Sequence, residues 1–60
     1  MDETAIRRAA AQMRKLHGSG AELASARKAD AMLNRGNVSA FHTWNRIITL
    51  IRDLERKTGG

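Results

Sequence analysis

Glycine is the one residue type in this chain suited to end a helix sharply, and it stands at three places: Gly18 and Gly20, Gly36, and the closing Gly59 and Gly60. Proline is absent. Proline costs about 3 kcal/mol inside a helix, so its absence leaves the intervening stretches free to be helical from end to end. Alanine, the best helix former, is abundant in the first two stretches. The pattern predicts an all-α chain with one domain over residues 1–60. Its expected form is a small three-helix unit, either a compact bundle or a helical hairpin packing through the third helix.

Each stretch carries its own start and stop signals. Asp2 is a favoured N-cap for a helix from Glu3 to His17, and Glu3 places a negative charge at the positive end of the helix dipole. Ile6, Ala9, Ala10, Met13 and Leu16 fall on one face at i, i+3, i+4, i+7 spacing. Gly18 follows where a left-handed cap is wanted. Ser19 and Glu22 fit a capping box for a second helix from Gly20 to Arg35, with Leu23, Ala26, Ala29, Met32 and Leu33 expected inside. Gly36 ends that helix, and Asn37 is the N-cap expected for a third from Val38 to Lys57, with Thr58, Gly59 and Gly60 frayed.

The third helix is the bulky one. Val38, Phe41, Trp44, Ile47, Ile48, Leu50, Ile51 and Leu54 spread over more than half its circumference, wider than the stripe of an ordinary surface helix. Such a helix is either central or covered by a second chain as well. A chain of 60 residues has little core to spare, and proteins of this size usually add a disulfide, a metal or a partner subunit. Cysteine is absent, which removes disulfides and thiolate metal sites. Self-association is therefore expected. The partner contact would centre on Phe41, Trp44, Ile48 and Ile51, with either a second copy or another protein.

No catalytic constellation stands out. There is no cysteine nucleophile, no serine or threonine lies near a histidine–carboxylate pattern, and the glycines match no phosphate-binding loop. His17 and His42 fall on different helices without clustered acidic ligands, so no metal or cofactor is expected. No long apolar run marks a leader or a membrane span, and the expected location is cytoplasmic.

Eleven basic residues against six acidic give a net charge of +5. Such a balance speaks to solubility and non-specific binding rather than fold. Arg7, Arg8, Arg14 and Lys15 recur at sevenfold spacing opposite Ile6 and Met13, and a face of that kind can lie along phosphates. Nucleic acid is thus the alternative partner. A DNA-reading helix-turn-helix fits poorly, because the third helix would need an exposed polar face and is dominated by bulky apolar residues. A membrane surface also fits poorly, since alanines occupy the positions where interfacial helices carry bulky anchors.

Several stretches carry a resemblance: Ala29-Asp30-Ala31-Met32-Leu33, Arg35-Gly36-Asn37, Trp44-Asn45-Arg46-Ile47 and Ile51 to Leu54, with an echo in Ala9-Ala10 and His17-Gly18. In these the chain resembles a group of short helical proteins of alphaproteobacteria that have no established activity. Asn37 departs from the acidic residue expected there, although either type caps a helix. The resemblance implies a small helical bacterial protein and assigns no functional residues. The expected function is a non-catalytic helical interaction or regulatory protein.

Overall fold

The structure, a computed structural model, describes residues 2–58. It is all-helical, with no strand among the described residues: α1 spans Glu3–His17, a single 3-10 turn spans Gly18–Gly20, α2 spans Ala21–Asn34 and α3 spans Val38–Thr58. The all-α expectation holds, and the helix boundaries fall within one residue of those read from the sequence. Gly59 and Gly60, where fraying was expected, lie outside the described residues.

Local chemistry explains the boundaries. The Asp2 carboxylate accepts a hydrogen bond from the Ala5 amide at 2.8 Å, and the Asn37 side-chain oxygen accepts one from the Ala40 amide at 3.1 Å. Each satisfies one of the amides that a helix start leaves without a partner. Asn37 also closes the preceding helix: its amide donates to the Met32 carbonyl while the Gly36 amide donates to the Leu33 carbonyl, both at 2.9 Å. These are the paired bonds of a Schellman ending, and Gly36 adopts the positive φ of 78° that the motif needs. One residue thus ends α2 and begins α3, which folds the two helices back on each other.

The first connection differs from expectation. Gly18 has φ 56° and ψ −127°, a backbone open to glycine but outside the left-handed helical well. The chain then makes the 3-10 turn through Ser19, and α2 starts after Gly20 with no side-chain cap. The capping box does not form, because Ser19 lies inside the turn and Glu22 is drawn to Arg52 instead.

Cross-helix pairs fix the topology. Glu22 bonds Arg52 and the Lys28 ammonium lies over the Trp44 ring, so α2 and α3 run antiparallel. Glu3 bonds Arg46, while Arg7 and Ala11 line a groove with Leu50 and Leu54, so α1 runs parallel to α3. The two glutamates that tie α1 and α2 to α3 each lie in the first turn of their helix, where the dipole favours them. Both ion pairs are well exposed. They set register and add at most about 1 kcal/mol each.

The core is Ile6, Ala10 and Met13 of α1, Ala21 of α2, and Ile47 and Ile51 of α3. Trp44, Leu50 and Leu54 of α3 pack against it from its edges. On α2 the buried residues are Ala21, Ser25 and Ala29, spaced i, i+4, i+8. A seam of such small residues lets α2 come close to the bulky α3, and the α2–α3 contact is the most extensive in the molecule. The cost of the seam lies at Ser25, whose fully buried Oγ has no hydrogen-bond partner.

Three residues expected inside are outside: Leu16, Leu23 and Leu33 are 64%, 59% and 48% exposed. The α2 leucines face out because the inner side of that helix is chosen by size rather than hydrophobicity. Leu16 falls in the last turn of α1, well past the core side of Ile6, Ala10 and Met13.

An unpaired buried hydroxyl costs about 1–3 kcal/mol, and alanine is also the better helix former. Ser25→Ala is therefore expected to stabilise the fold by roughly 1 kcal/mol, raising the melting temperature by about 4–8 °C for a chain of this size. Ser25→Leu should force α2 and α3 apart and abolish cooperative melting. Thermal denaturation followed by circular dichroism reads both, and a Ser25→Ala protein that melts lower would mean that the hydroxyl is bonded.

Candidate functional site

Three surfaces stand out among the described residues: the far end of the α2–α3 hairpin, a groove between α1 and α3, and the outer side of α1. The first arises because α1 is short. Its first residue, Glu3, pairs with Arg46, so the first two turns of α3 extend beyond it. Val38 to Phe41 lie beyond the start of α1, beside the end of α2. Met32 and Phe41 are half-buried there, and Leu33 and Val38 are 48% and 51% exposed.

The residues expected to meet a partner divide between core and surface. Ile51 is fully buried and Ile48 is 9% exposed. Both are buried within the single chain, so the surface open to a partner lies with the other two. Trp44 is half-buried, packed on the core edge and capped by the Lys28 ammonium at 5.8 Å from its ring centre. Phe41 keeps an open side, with the His42 ring 5.6 Å away at a tilt of 58°. Of the four, Phe41 and Trp44 reach the surface. The sequence pattern pointed past Leu33, expected to pack inward, and past Val38, one of many apolar positions on α3; the offset of α1 along α3 leaves both open.

The second surface is an open groove of about 400 Å³ lined by Arg7 and Ala11 of α1 and by Leu50, Asp53, Leu54 and Lys57 of α3. A smaller hollow of about 180 Å³ continues it past Leu50 to Glu3, Arg46 and Thr49. Its floor is alanine and leucine, and its rim is charged.

The basic residues of α1 do not form one face. Successive residues turn by about 100° around a helix, which puts Arg7 and Arg14 on the flank toward α3 and Arg8 and Lys15 on the outer side. Arg14 is accordingly half-buried, and Arg7 lines the groove. Arg7 also lies 3.9 Å from Glu3, which bonds Arg46 as well. The expected phosphate-binding face therefore narrows to Arg8 and Lys15.

Charge elsewhere follows a simple pattern. Asp2 caps α1, Glu3 and Glu22 hold Arg46 and Arg52, Asp53 pairs with Arg56 at 3.3 Å, and Glu55 is also engaged. Among the described residues no ion pair holds Arg8, Lys15, Arg27, Arg35 or Lys57. Every acid but Asp30 is so engaged, and the surplus is cationic. His17 and His42 are both exposed on separate helices, and no group of three or more potential metal ligands gathers among the described residues. No helix among them is long and apolar enough to cross a membrane.

No family model, curated protein or solved structure matches the chain.

The division between core and surface has a direct readout. Ile51→Ala should cost about 2–5 kcal/mol, enough to unfold most of a domain this small. Leu16→Ser and Leu23→Ser should each change stability by no more than about 0.5 kcal/mol. Urea denaturation of the three variants checks the assignment, which fails if either leucine variant unfolds as readily as Ile51→Ala.

Proposed function

We propose that this chain is a non-catalytic helical interaction protein of the cytoplasm that self-associates through the end of the α2–α3 hairpin left uncovered by α1. One observation carries the proposal. A two-helix end exposes Leu33 and Val38 beside the half-buried Phe41, and so short a hairpin is a poor place to leave apolar surface in water. A second copy supplies the missing cover with no new chemistry. In a two-fold arrangement the same patch meets itself, so apolar meets apolar on both sides. Asp30 and Arg35 belong to the same end of the hairpin, and neither is held in an ion pair. Their opposite charges let two copies cross-match.

Phosphate binding by Arg7, Arg8, Arg14 and Lys15 is the weaker alternative. Two of these four are turned toward α3, and a pair of outward cations supplies few of the phosphate contacts that give nucleic-acid affinity its strength.

Sedimentation equilibrium over a concentration series tests self-association. The wild type should move from monomer to dimer mass as concentration rises. Leu33→Glu combined with Val38→Glu should hold it monomeric with unchanged helical circular dichroism, since both side chains are exposed in the single chain. A wild type that stays monomeric throughout, or a double variant that still dimerises, would overturn the proposal.

A further inference from the structure

We propose that the groove between α1 and α3 is a docking site for an acidic amphipathic helix from a different protein. The site does not depend on self-association, because it lies on the part of α3 that follows Arg46, away from the hairpin end.

The shape is that of a missing helix. α1 and α3 run parallel and leave between them a trough of about 400 Å³ with Ala11, Leu50 and Leu54 along its floor. Ala11 is the small residue on the α1 side, and it lets a helix backbone settle between the two. Leu50 and Leu54 stand one turn apart and are half-buried, so each keeps an open side for an apolar residue of the incoming helix. Recognition of this kind reads anchors at i, i+3 or i+4, and i+7. A small molecule would be held poorly, because α1 and α3 wall the trough on two sides and the third is open.

Charge selects the occupant. Arg7 stands on one rim and Lys57 on the other, with Arg46 beyond Leu50. The acids of the rim are already answered, Glu3 by Arg46 and Arg7, and Asp53 by Arg56. Arg7 and Arg46 share the single carboxylate of Glu3, and Lys57 is held in no ion pair among the described residues, so the groove keeps a net positive charge that favours an incoming helix bearing carboxylates. A second copy cannot supply them. Its own acids are engaged in caps and ion pairs except Asp30, and it carries the same surplus of +5. A nucleic acid would answer the cations and leave the leucine floor uncovered. Together the apolar floor and the net positive charge around it favour a helix with a leucine stripe flanked by acids.

The probe is a synthetic helical peptide with leucines at i, i+3 and i+7 and glutamates on both sides of that stripe, labelled for fluorescence anisotropy. Two controls accompany it: the same peptide with serine for leucine, and a single-stranded oligonucleotide of equal charge. The wild type should bind the leucine peptide at least tenfold more tightly than the serine peptide. Arg7→Glu with Lys57→Glu should weaken it at least tenfold. Ala11→Arg is the decisive variant, because Ala11 is exposed and the substitution closes the floor while adding a cation. It should weaken the leucine peptide at least tenfold and leave oligonucleotide binding unchanged or stronger.

Equal binding of the two peptides, or no binding of either, would overturn the proposal. An oligonucleotide that binds as tightly as the leucine peptide and gains from Ala11→Arg would show a polyanion site instead. A change of oligomeric mass in Ala11→Arg would show that a second copy occupies the groove. Because sedimentation reads the hairpin end and anisotropy reads the groove, either can fail without the other.

Discussion

The molecule depends on Ile47 and Ile51, two fully buried side chains one turn apart on α3. They are where the other two helices meet: Ile6, Ala10 and Met13 approach from α1 and Ala21 from α2. A chain of 60 residues has too little apolar material to build a core on every helix, so it concentrates bulk on α3 and lets smaller residues surround it. The small seam of Ala21, Ser25 and Ala29 follows from that choice. Large residues on α2 would hold it away from α3 and open the space that the isoleucines fill. The glutamate–arginine pairs then fix how far each helix slides along α3, since one near the start of α1 and one near the start of α2 each name a single arginine of α3.

Helix boundaries were legible because their signals are local. Asp2, Asn37 and Gly36 act through bonds to amides and carbonyls within a few residues, and the sequence carries all the information those bonds need. The inner face of α1 was also legible in Ile6, Ala10 and Met13. On α2 the reading held for Ala29 and failed for Leu23 and Leu33, which it put inside. The structure ranks residues by size and puts Ser25 there instead. The signal was present in the i, i+4, i+8 recurrence of Ala21, Ser25 and Ala29, a spacing that marks close helix packing even when one member is polar. The capping box at Ser19 failed for another reason: its glutamate had a tertiary partner in Arg52 that no local pattern reveals.

The functional surfaces were half legible for the same reason. Phe41 and Trp44 stood out as the only aromatic pair, and they do reach the surface. Ile48 and Ile51 looked equivalent to them on a helical wheel, yet α1 and α2 close over that side of α3. Leu50 and Leu54 belong to a groove that exists only because α1 lies parallel to α3, so its floor and rims come from residues dozens of positions apart. Charge behaves in the same way. The surplus of +5 is visible in composition, but which cations remain unpaired depends on which carboxylates the fold consumes. Once those are placed, two surfaces of different character emerge, an apolar hairpin end and an apolar trough with a charged rim of net positive sign.

α1 braces the later part of α3, and we propose that a second copy covers the first two turns. Amide hydrogen exchange along α3, followed by mass spectrometry at low and high protein concentration, tests it most directly. At low concentration the amides around Ile47 to Leu54 should exchange slowest and those from Phe41 to Asn45 clearly faster, with the latter gaining protection as concentration rises. Uniform protection along α3 at the lowest concentration, unchanged at the highest, would contradict it.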